Sequence, residues 1–530
     1  MLGWGAVMAC LALVGLYAAS PHSWPIQASR ATELRDSLAM IKHGGPLLLG
    51  RHPNGQLYAV GVTDDQGLFV YIPWLSHVLG VSDPVNMLRY LYIALFTLTA
   101  GIYPFLFWRL TGSTLAGLAA PLLLLACVRS IGFNDLYWIP AWGILTLLPI
   151  IFLMSNRWPA RIGVPLVAAL GVLASLLTSM RSQAGLPIVL ALATVIVMQR
   201  WRWWQTAAVI ALLAVAYISV NTFVIPAVRA HRDDRIGTTA LSRDQPSGHP
   251  FWHTAYIGLG YLPNSSKLHY RDQDAAARVE REAPGARFLS GRYATTLRKA
   301  YFRVITREPG EWLRQNAAKA LVMIADAAPY LVLVALTLPA LLLLEQQGRR
   351  RRWLLLTLPA LVITLLPALI AIPFQIYEEG LYGILGLVAI VALTWMIQRA
   401  GQLSVDGSSL RQMARSLRAG VRRDDAWGER LRRAMTWSAA AIAATLVLAI
   451  PAHFVRREAE RWLGENSGVL IDRATPAEVA YAPLATLRTS SEPGPPAPGH
   501  RAHGASPAPG HRAQGAPRAV AGCEPASCPL

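Results

Sequence analysis

The feature that most constrains this chain is a series of apolar runs, each close to the ~20 residues with which an α-helix crosses a bilayer. About eleven such runs follow one another along the sequence. They cover residues 3–20, 88–108, 112–128, 137–155, 162–180, 185–199, 205–226, 320–344, 353–373, 380–398 and 434–454. Hydrophobic residues make up 54% of the chain and charged residues only 15%, which argues against a soluble protein. The sequence therefore predicts an all-α polytopic membrane protein with about eleven transmembrane helices.

Arginines between these runs predict the orientation of the chain, because Lys and Arg are retained on the cytoplasmic side of short loops. We place the N-terminus inside. The loops that are then cytoplasmic contain Arg109, Arg157, Arg161, Arg200, Arg202, the run 349–352 and the arginines within 399–433. This asymmetry accounts for much of the formal net charge of +19. It indicates contact with anionic membrane lipids and argues against a nucleic-acid partner.

Two predicted external loops, 21–87 and 227–319, are long enough to hold structure. In the first, Leu34, Leu38 and Ile41 recur at helical spacing, which predicts an amphipathic external helix. The second contains further stretches with helical character. After residue 400 we predict a basic cytoplasmic interfacial segment (401–433), the last span (434–454), an external segment (455–492) and a disordered tail rich in Pro, Gly, Ala and His (493–530).

Ionisable side chains at the outer ends of the predicted spans mark a candidate site, since charges near membrane depth are costly unless they are solvated or paired. These side chains are Asp64, Asp65, Arg129, Asp135, Arg181, Asp326, Glu378 and Glu379. The two glutamates are predicted to lie in an outer loop, within QIYEEGLYG. Acidic groups and arginines would thus share one side of the membrane. Such a set suits a site that binds a phosphate and removes a proton from a hydroxyl.

Within this set the residue types predict a division of roles. Arg129 and Arg181 are the candidate phosphate ligands, because a planar guanidinium fork matches an anionic leaving group. Asp64 or Asp65 is the candidate base for an acceptor hydroxyl. The two aspartates, with Asp135, are also the candidate ligands if the site holds a divalent cation such as Mg²⁺ or Mn²⁺.

Each of these residues also has a purely structural interpretation. Adjacent aspartates in a loop often form a turn or cap a helix, and Asp135 could cap the helix that follows it. Arg181 could extend toward the lipid headgroups. The glutamates of the late outer loop could be solvated surface charges. The sequence leaves these alternatives open.

An aromatic, Gly-rich stretch in the second external loop reads SGHPFWHTAYIGLGYLPNSSKLHYRD. His249 and His253 are four residues apart, but the intervening Pro250 and the lack of a third ligand argue against a zinc site. Trp252, His253 and Tyr256 are candidates for binding a carbohydrate or a lipid headgroup. An aromatic belt at the membrane interface is an equally good interpretation.

The order of these features resembles the GT-C superfamily of integral-membrane glycosyltransferases over roughly residues 1–400. The resemblance rests on TDDQGLFVYIPWLSHVLG in the first external loop, on MRSQAGL at the end of a span, on VITREPGEWLRQNAAKAL and on YEEGLYG. It implies a bacterial inner-membrane enzyme that moves a sugar from a polyprenyl-phosphate donor to a glycan, lipid or protein acceptor on the extracytoplasmic face. It also implies that Asp64 or Asp65 is the base or a metal-side acid, with Asp135 as a second acidic site residue.

Two departures and two alternatives accompany this resemblance. The chain lacks the sequon-reading motif of oligosaccharyltransferases, and the late outer loop lacks an Arg-Tyr pair. An O-antigen ligase or polysaccharide polymerase would place its sensitive residues in 227–319 rather than in 21–87. A non-enzymatic transporter of lipid-linked glycans would carry polar residues midway along its spans and would have two similar halves, features that this sequence lacks.

Overall fold

A computed structural model describes residues 1–467 apart from a few short gaps. The gaps are 62–64, 130, 134, 156–159, 200, 238–250, 289, 344–346 and 405–424. Asp64, His249 and most of the basic segment 401–433 therefore lie outside the described residues, as do residues 468–492 and the tail 493–530.

The described chain is predominantly helical, with one short β-hairpin. From the N-terminus the elements are α1 (Leu2–Ala19), α2 (Ala28–Lys42), β1 (Leu49–Arg51), β2 (Leu57–Ala59), α3 (Gln66–Val78), α4 (Pro84–Thr111), α5 (Thr114–Val128), α6 (Trp138–Met154), α7 (Ala160–Met180) and α8 (Leu186–Met198). There follow α9 (Trp203–Ser219), a π-helical turn (Val220–Val224), α10 (Ile225–Ile236), α11 (Phe251–Gly258), α12 (Asp272–Glu282), α13 (Gly291–Arg307), α14 (Pro309–Asp326), α15 (Ala328–Leu343), α16 (Gln347–Ile370), α17 (Gln375–Ser404) and α18 (Asp425–Ser467).

Among the described residues, seven helical segments are long and apolar enough to cross a membrane. The pair α14 and α15, bent by 66°, makes eight if it is counted as one broken span, and α5, α6 and α8 are shorter apolar helices. Each apolar run predicted from the sequence overlaps one of these helices. The prediction of a polytopic helical membrane protein is confirmed, whereas the number of crossings stays a prediction.

An aromatic cluster between α4 and α6 forms the centre of the bundle core. Tyr92 and Phe96 of α4 contact Trp138 at the start of α6, with ring centroids 5.1 and 6.1 Å apart. Trp24, in the segment between α1 and α2, packs on Tyr92 at 5.4 Å and is fully buried. These rings tie the first external segment to the end of the bundle where α6 begins.

The segment predicted as the first external loop folds onto the bundle instead of forming a separate surface helix. Helix α2 buries Leu34 and Leu38, so its apolar face packs against protein. The hairpin that follows pairs Gly50 with Tyr58 in antiparallel register and turns at Gly55, which has a φ of +85°. The all-α prediction missed this hairpin, because strands of three residues are too short to show a two-residue alternation.

Helices α11, α12 and α13 form a unit with a small core of its own, which we call the second external unit after its predicted location. Tyr293, Leu297 and Ala300 recur on one face of α13 and pack with Val279 of α12. The Ser290 hydroxyl caps α13 by accepting the Tyr293 N–H at 3.2 Å. At the other end of the chain, α18 continues past the predicted last span, so the start of the predicted external segment 455–492 is helical.

Candidate active site

Two aspartates and two arginines form a buried cluster where α3 and α6 begin and α7 ends. The Arg30 guanidinium donates from Nη2 to Asp65 Oδ2 at 2.6 Å and from Nη1 to Asp135 Oδ2 at 2.7 Å. Arg181 Nη1 donates to the same Asp65 oxygen at 3.2 Å. Both aspartate side chains are fully buried, and those of Arg30 and Arg181 are 15% and 8% exposed. The structure thus brings together three residues that the sequence singled out and a fourth that it did not.

The structural interpretations of these three predicted residues do not fit the geometry. Asp65 occupies the N-cap position of α3, yet its side chain makes no capping hydrogen bond. The N-cap of α6 is Tyr137, so Asp135 does not cap that helix. Arg181 is buried against Asp65 rather than extended toward headgroups. Each charge is directed into the cluster.

The main chain of Asp135 is fixed on several sides. Its N–H donates to the Pro25 carbonyl at 2.7 Å, and its own carbonyl accepts from the indole N–H groups of Trp24 at 3.0 Å and Trp138 at 3.1 Å. The aromatic core therefore sets the position of this carboxylate. A fixed carboxylate in turn orients Arg30, which is the kind of preorganisation that a catalytic site requires.

Close contact between α3 and α7 sets the position of Asp65 relative to Arg181. A Cβ built on Gly67 would come within 2.4 Å of the Ser179 hydroxyl oxygen and 2.8 Å of its carbonyl carbon. Gly67 lies two residues after Asp65, and Ser179 lies two residues before Arg181. Glycine at this position lets the two helices approach closely enough for the ion pair to form.

Arg30 is the functional residue that sequence reasoning missed. Its spacing from Leu34 and Leu38 is four and eight residues, so it shares the buried face of α2. A charged residue in register with an apolar stripe was the available signal. The neighbouring Glu33 is buried and accepts the Gly61 N–H at 2.9 Å. Burial raises the pKa of Glu33, opposed by that hydrogen bond and by Arg30, which weakens its competition with the aspartates for the guanidinium.

Tyrosine rings surround the other side of Arg181. Its guanidinium carbon lies 4.2 Å from the centroid of the Tyr137 ring and 6.0 Å from that of Tyr377. The Tyr377 ring packs edge-on against Tyr137, with ring centroids 5.6 Å apart, and Tyr377 interacts electrostatically with Tyr270, so these tyrosines connect the site to the second external unit. Burial raises the pKa of Tyr270, which keeps its hydroxyl protonated at neutral pH.

A cavity of about 20 Å³ adjoins Arg181, with room for about one water molecule. Its walls come from α6, α16 and α17 and from the segment that follows α7. They are Tyr137, Pro140, Arg181, Gln183, Ile363, Thr364, Pro367, Tyr377 and Gly380. The cavity thus connects the charged cluster with helices that face the interior of the bundle.

Among the remaining predicted residues, Arg129 is exposed at the C-terminal end of α5, and no ion pair joins it to the cluster in the described part of the chain. The loop predicted around Glu378 and Glu379 is wrong, because both lie in the first turns of α17. Both are buried, which excludes solvated surface charges, and Glu378 accepts the Tyr382 hydroxyl at 2.6 Å. The helix formed by the apolar run after the glutamates begins at Gln375, so it includes the residues that were predicted as a loop.

Trp252, His253 and Tyr256 lie in the second external unit and not in the charged cluster. The buried His253 ring bonds through Nδ1 to the Tyr293 hydroxyl at 2.8 Å and through Nε2 to Asp272 at 2.7 Å. This imidazole joins the three helices of the unit. Tyr256 belongs to the small core of the unit, and Trp252 is half-buried.

The described donor set does not fit a divalent cation. Among the described residues no three His, Cys, Asp or Glu side chains come together. The Arg30 guanidinium bridges Asp65 and Asp135, the position that a shared cation would need.

No known protein family, curated protein or solved structure matches this chain.

Proposed function

We propose that this protein is a membrane glycosyltransferase that moves a sugar from a polyprenyl-phosphate donor to a cell-envelope acceptor on the extracytoplasmic face. The observation that supports this proposal most strongly is the buried Asp65 held between two arginines beside Asp135. Buried ion pairs contribute little net stability, because desolvation offsets most of their attraction. Three such pairs at the end of a membrane bundle are therefore better explained by the handling of a charged substrate.

The proposed reaction uses Arg181 and Asp65 in turn. Arg181 exchanges its 3.2 Å contact with Asp65 for the donor phosphate, and this exchange frees one side of the carboxylate, which Arg30 still holds. The acceptor oxygen then attacks the anomeric carbon, and its proton passes to Asp65. The bond between that carbon and the phosphate oxygen breaks, and the lipid phosphate leaves with the electron pair. Arg181 stabilises its charge, with hydrogen bonds from Tyr137 and Tyr377.

The proposal requires the cavity beside Arg181 to open. A volume of about 20 Å³ admits no sugar phosphate, so one of its walls must move. Helix α16 is the best candidate, because Pro359 and Pro367 each remove a backbone N–H donor from it. Opening along α16 gives a lipid-borne donor lateral access from the bilayer.

The direct test is sugar transfer by the full chain in membranes, assayed with a panel of polyprenyl-phosphate sugars. Asp65→Asn should lower the rate about a hundredfold or more, since it keeps the shape of the side chain and removes the base. Arg181→Gln should lose activity as well, with the larger effect on donor binding. Asp64→Asn should be assayed in the same way, because the sequence alone does not show which of the two aspartates is the base.

Arg35 and Asp83 supply the matched control. They form a comparable pair at 3.2 Å in the first external segment, with side chains that are 54% and 34% exposed. Asp83→Asn should leave transfer unchanged. Full activity in Asp65→Asn would remove the proposed mechanism, and losses confined to variants of residues 227–319 would favour the ligase alternative instead.

A further inference from the structure

The second external unit contains a cleft of about 490 Å³, far larger than the cavity beside Arg181. It lies between α12, α13 and the loop that precedes α12. Six of its lining residues are cations: Lys267, Arg271, Arg278, Arg281, Arg303 and Arg307. A volume in this range suits an organic molecule of moderate size. The proposed transfer reaction makes no use of this cleft.

Carboxylates neutralise only part of this charge. Glu282 forms ion pairs with two arginines, since its Oε1 lies 2.7 Å from both Arg278 Nη2 and Arg303 Nη1. Arg271 is paired with Asp274 at 3.1 Å. The remaining acidic lining residue, Glu308, accepts a hydrogen bond from Ser265. In the described part of the chain, six cations therefore face three carboxylates.

Several donors in the cleft are available to an incoming anion. Lys267, Arg281 and Arg307 form no ion pair with any described residue. The Nε–H groups of Arg271 and Arg278 are buried and have no acceptor among the described residues. Buried donors without acceptors are costly, and an oxyanion would satisfy them.

The loop that carries Lys267 is held in an uncommon conformation. Lys267 has a φ of +51°, in the left-handed region that a side chain with a Cβ rarely adopts. Asn264 fixes it, because its amide donates to the Leu268 carbonyl at 2.6 Å and its side-chain oxygen accepts the Leu268 N–H at 2.9 Å. The fold thus orders a strained loop that places a lysine at the edge of the cleft.

We propose that this basic cleft binds a phosphorylated ligand, through the phosphate of a soluble molecule or of a lipid headgroup. Guanidinium forks on α12 and α13 match the geometry of phosphate oxygens, and the excess of cations favours an anion with more than one negative charge. The proposal is independent of glycosyl transfer, because it concerns binding in a different part of the chain.

Pyrophosphate is the probe for the test, titrated calorimetrically into the full chain in phosphatidylcholine nanodiscs. The wild type should bind it saturably and more weakly as salt rises. The double variant Lys267→Gln and Arg307→Gln should bind about tenfold more weakly or worse, since each lost contact is a charge-assisted hydrogen bond. Lys267→Arg with Arg307→Lys keeps the charge and should retain most of the binding.

Arg298 and Lys299 provide a control on α13 itself. Both are exposed, and neither lines the cleft. Arg298→Gln with Lys299→Gln removes the same charge as the cleft variant and should leave binding unchanged. Equal losses in the two double variants, or no saturable binding by the wild type, would overturn the proposal.

A second experiment distinguishes the phosphate of a lipid headgroup from that of a soluble ligand. In nanodiscs that contain phosphatidylglycerol, a lipid headgroup in the cleft would compete with pyrophosphate and lower its apparent affinity in the wild type, but not in the charge-depleted cleft variant. A soluble ligand predicts the same change in both. Either result supports the cleft as a phosphate site, and transfer activity plays no part in the readout.

Discussion

At the residue scale, Arg30 holds the buried cluster together. It contacts both Asp65 and Asp135, and its two bonds are shorter than the bond from Arg181 to Asp65. Removing one partner of a buried ion pair is strongly destabilising, because the other charge stays buried without compensation. Arg30 therefore stabilises the folded site, while Arg181 remains able to exchange its contact.

Replacing Arg30 should show this dependence directly. Arg30→Ala leaves two buried carboxylates with less compensation and should lower the free energy of unfolding by about 3–5 kcal/mol. Arg35→Ala, which breaks the exposed pair with Asp83, should cost at most about 1 kcal/mol. The measurement is the thermal unfolding temperature of both variants in the same detergent. Similar shifts in both would show that the cluster is not a buried network.

The sequence predicts individual site residues to the extent that charge and membrane depth constrain them. Asp65, Asp135 and Arg181 stand out because each lies beside an apolar run. Arg30 does not, because its helix also has exposed charges, and its register with Leu34 and Leu38 does not by itself show that the charge is buried. Arg129 has the same local pattern as Arg181, yet only the packing of α7 against α3 turns one of them inward.

At the element scale, the approach of α3 to α7 decides whether the ion pair can form. The backbone at Gly67 lies against Ser179, and Asp65 and Arg181 extend from the adjoining turns of the two helices. Since this contact has no room for a Cβ, the site depends on Gly67, although this residue has no functional group that could take part in the reaction.

Gly67→Ala should separate the two helices and impair the site. Overpacking of this kind costs about 1–3 kcal/mol, and it should lengthen the contact between Asp65 and Arg181. Gly15→Ala is the matched control, because a Cβ on Gly15 of α1 meets nothing within 4 Å. That change should be neutral or stabilise by up to about 1 kcal/mol. Unfolding temperature and transfer rate should both fall for the first variant alone; equal behaviour of the two would contradict the close-contact account.

Elements differ in how well their sequence predicts them. Long apolar helices were predictable because about 20 consecutive apolar residues have few other stable arrangements in a membrane protein. The hairpin was not, since its pairing depends on Gly55 and on the neighbouring face of α2. The start of α17 was also mispredicted, because buried glutamates have the local appearance of a loop until their partners are known.

At the scale of the whole molecule, the pattern of arginines predicts that Asp65, Asp135 and Arg181 share one side of the membrane, and the ion-pair network joins these residues at one end of the bundle. Hydropathy was sufficient to predict a polytopic helical membrane protein, but it did not establish the number of crossings. It was not sufficient for the second external unit, where the cations come together only through the packing of α12 on α13. The function stays a proposal that rests on the geometry of the site.

The most direct test of that site is an experimental structure of the full chain in nanodiscs with a polyprenyl-phosphate sugar. Our account predicts phosphate density within hydrogen-bonding distance of the Arg181 guanidinium, an opened cavity along α16 and a contact with Asp65 longer than the present 3.2 Å. Phosphate density found only elsewhere, with the contacts of Asp65 to Arg30 and Arg181 intact, would contradict it.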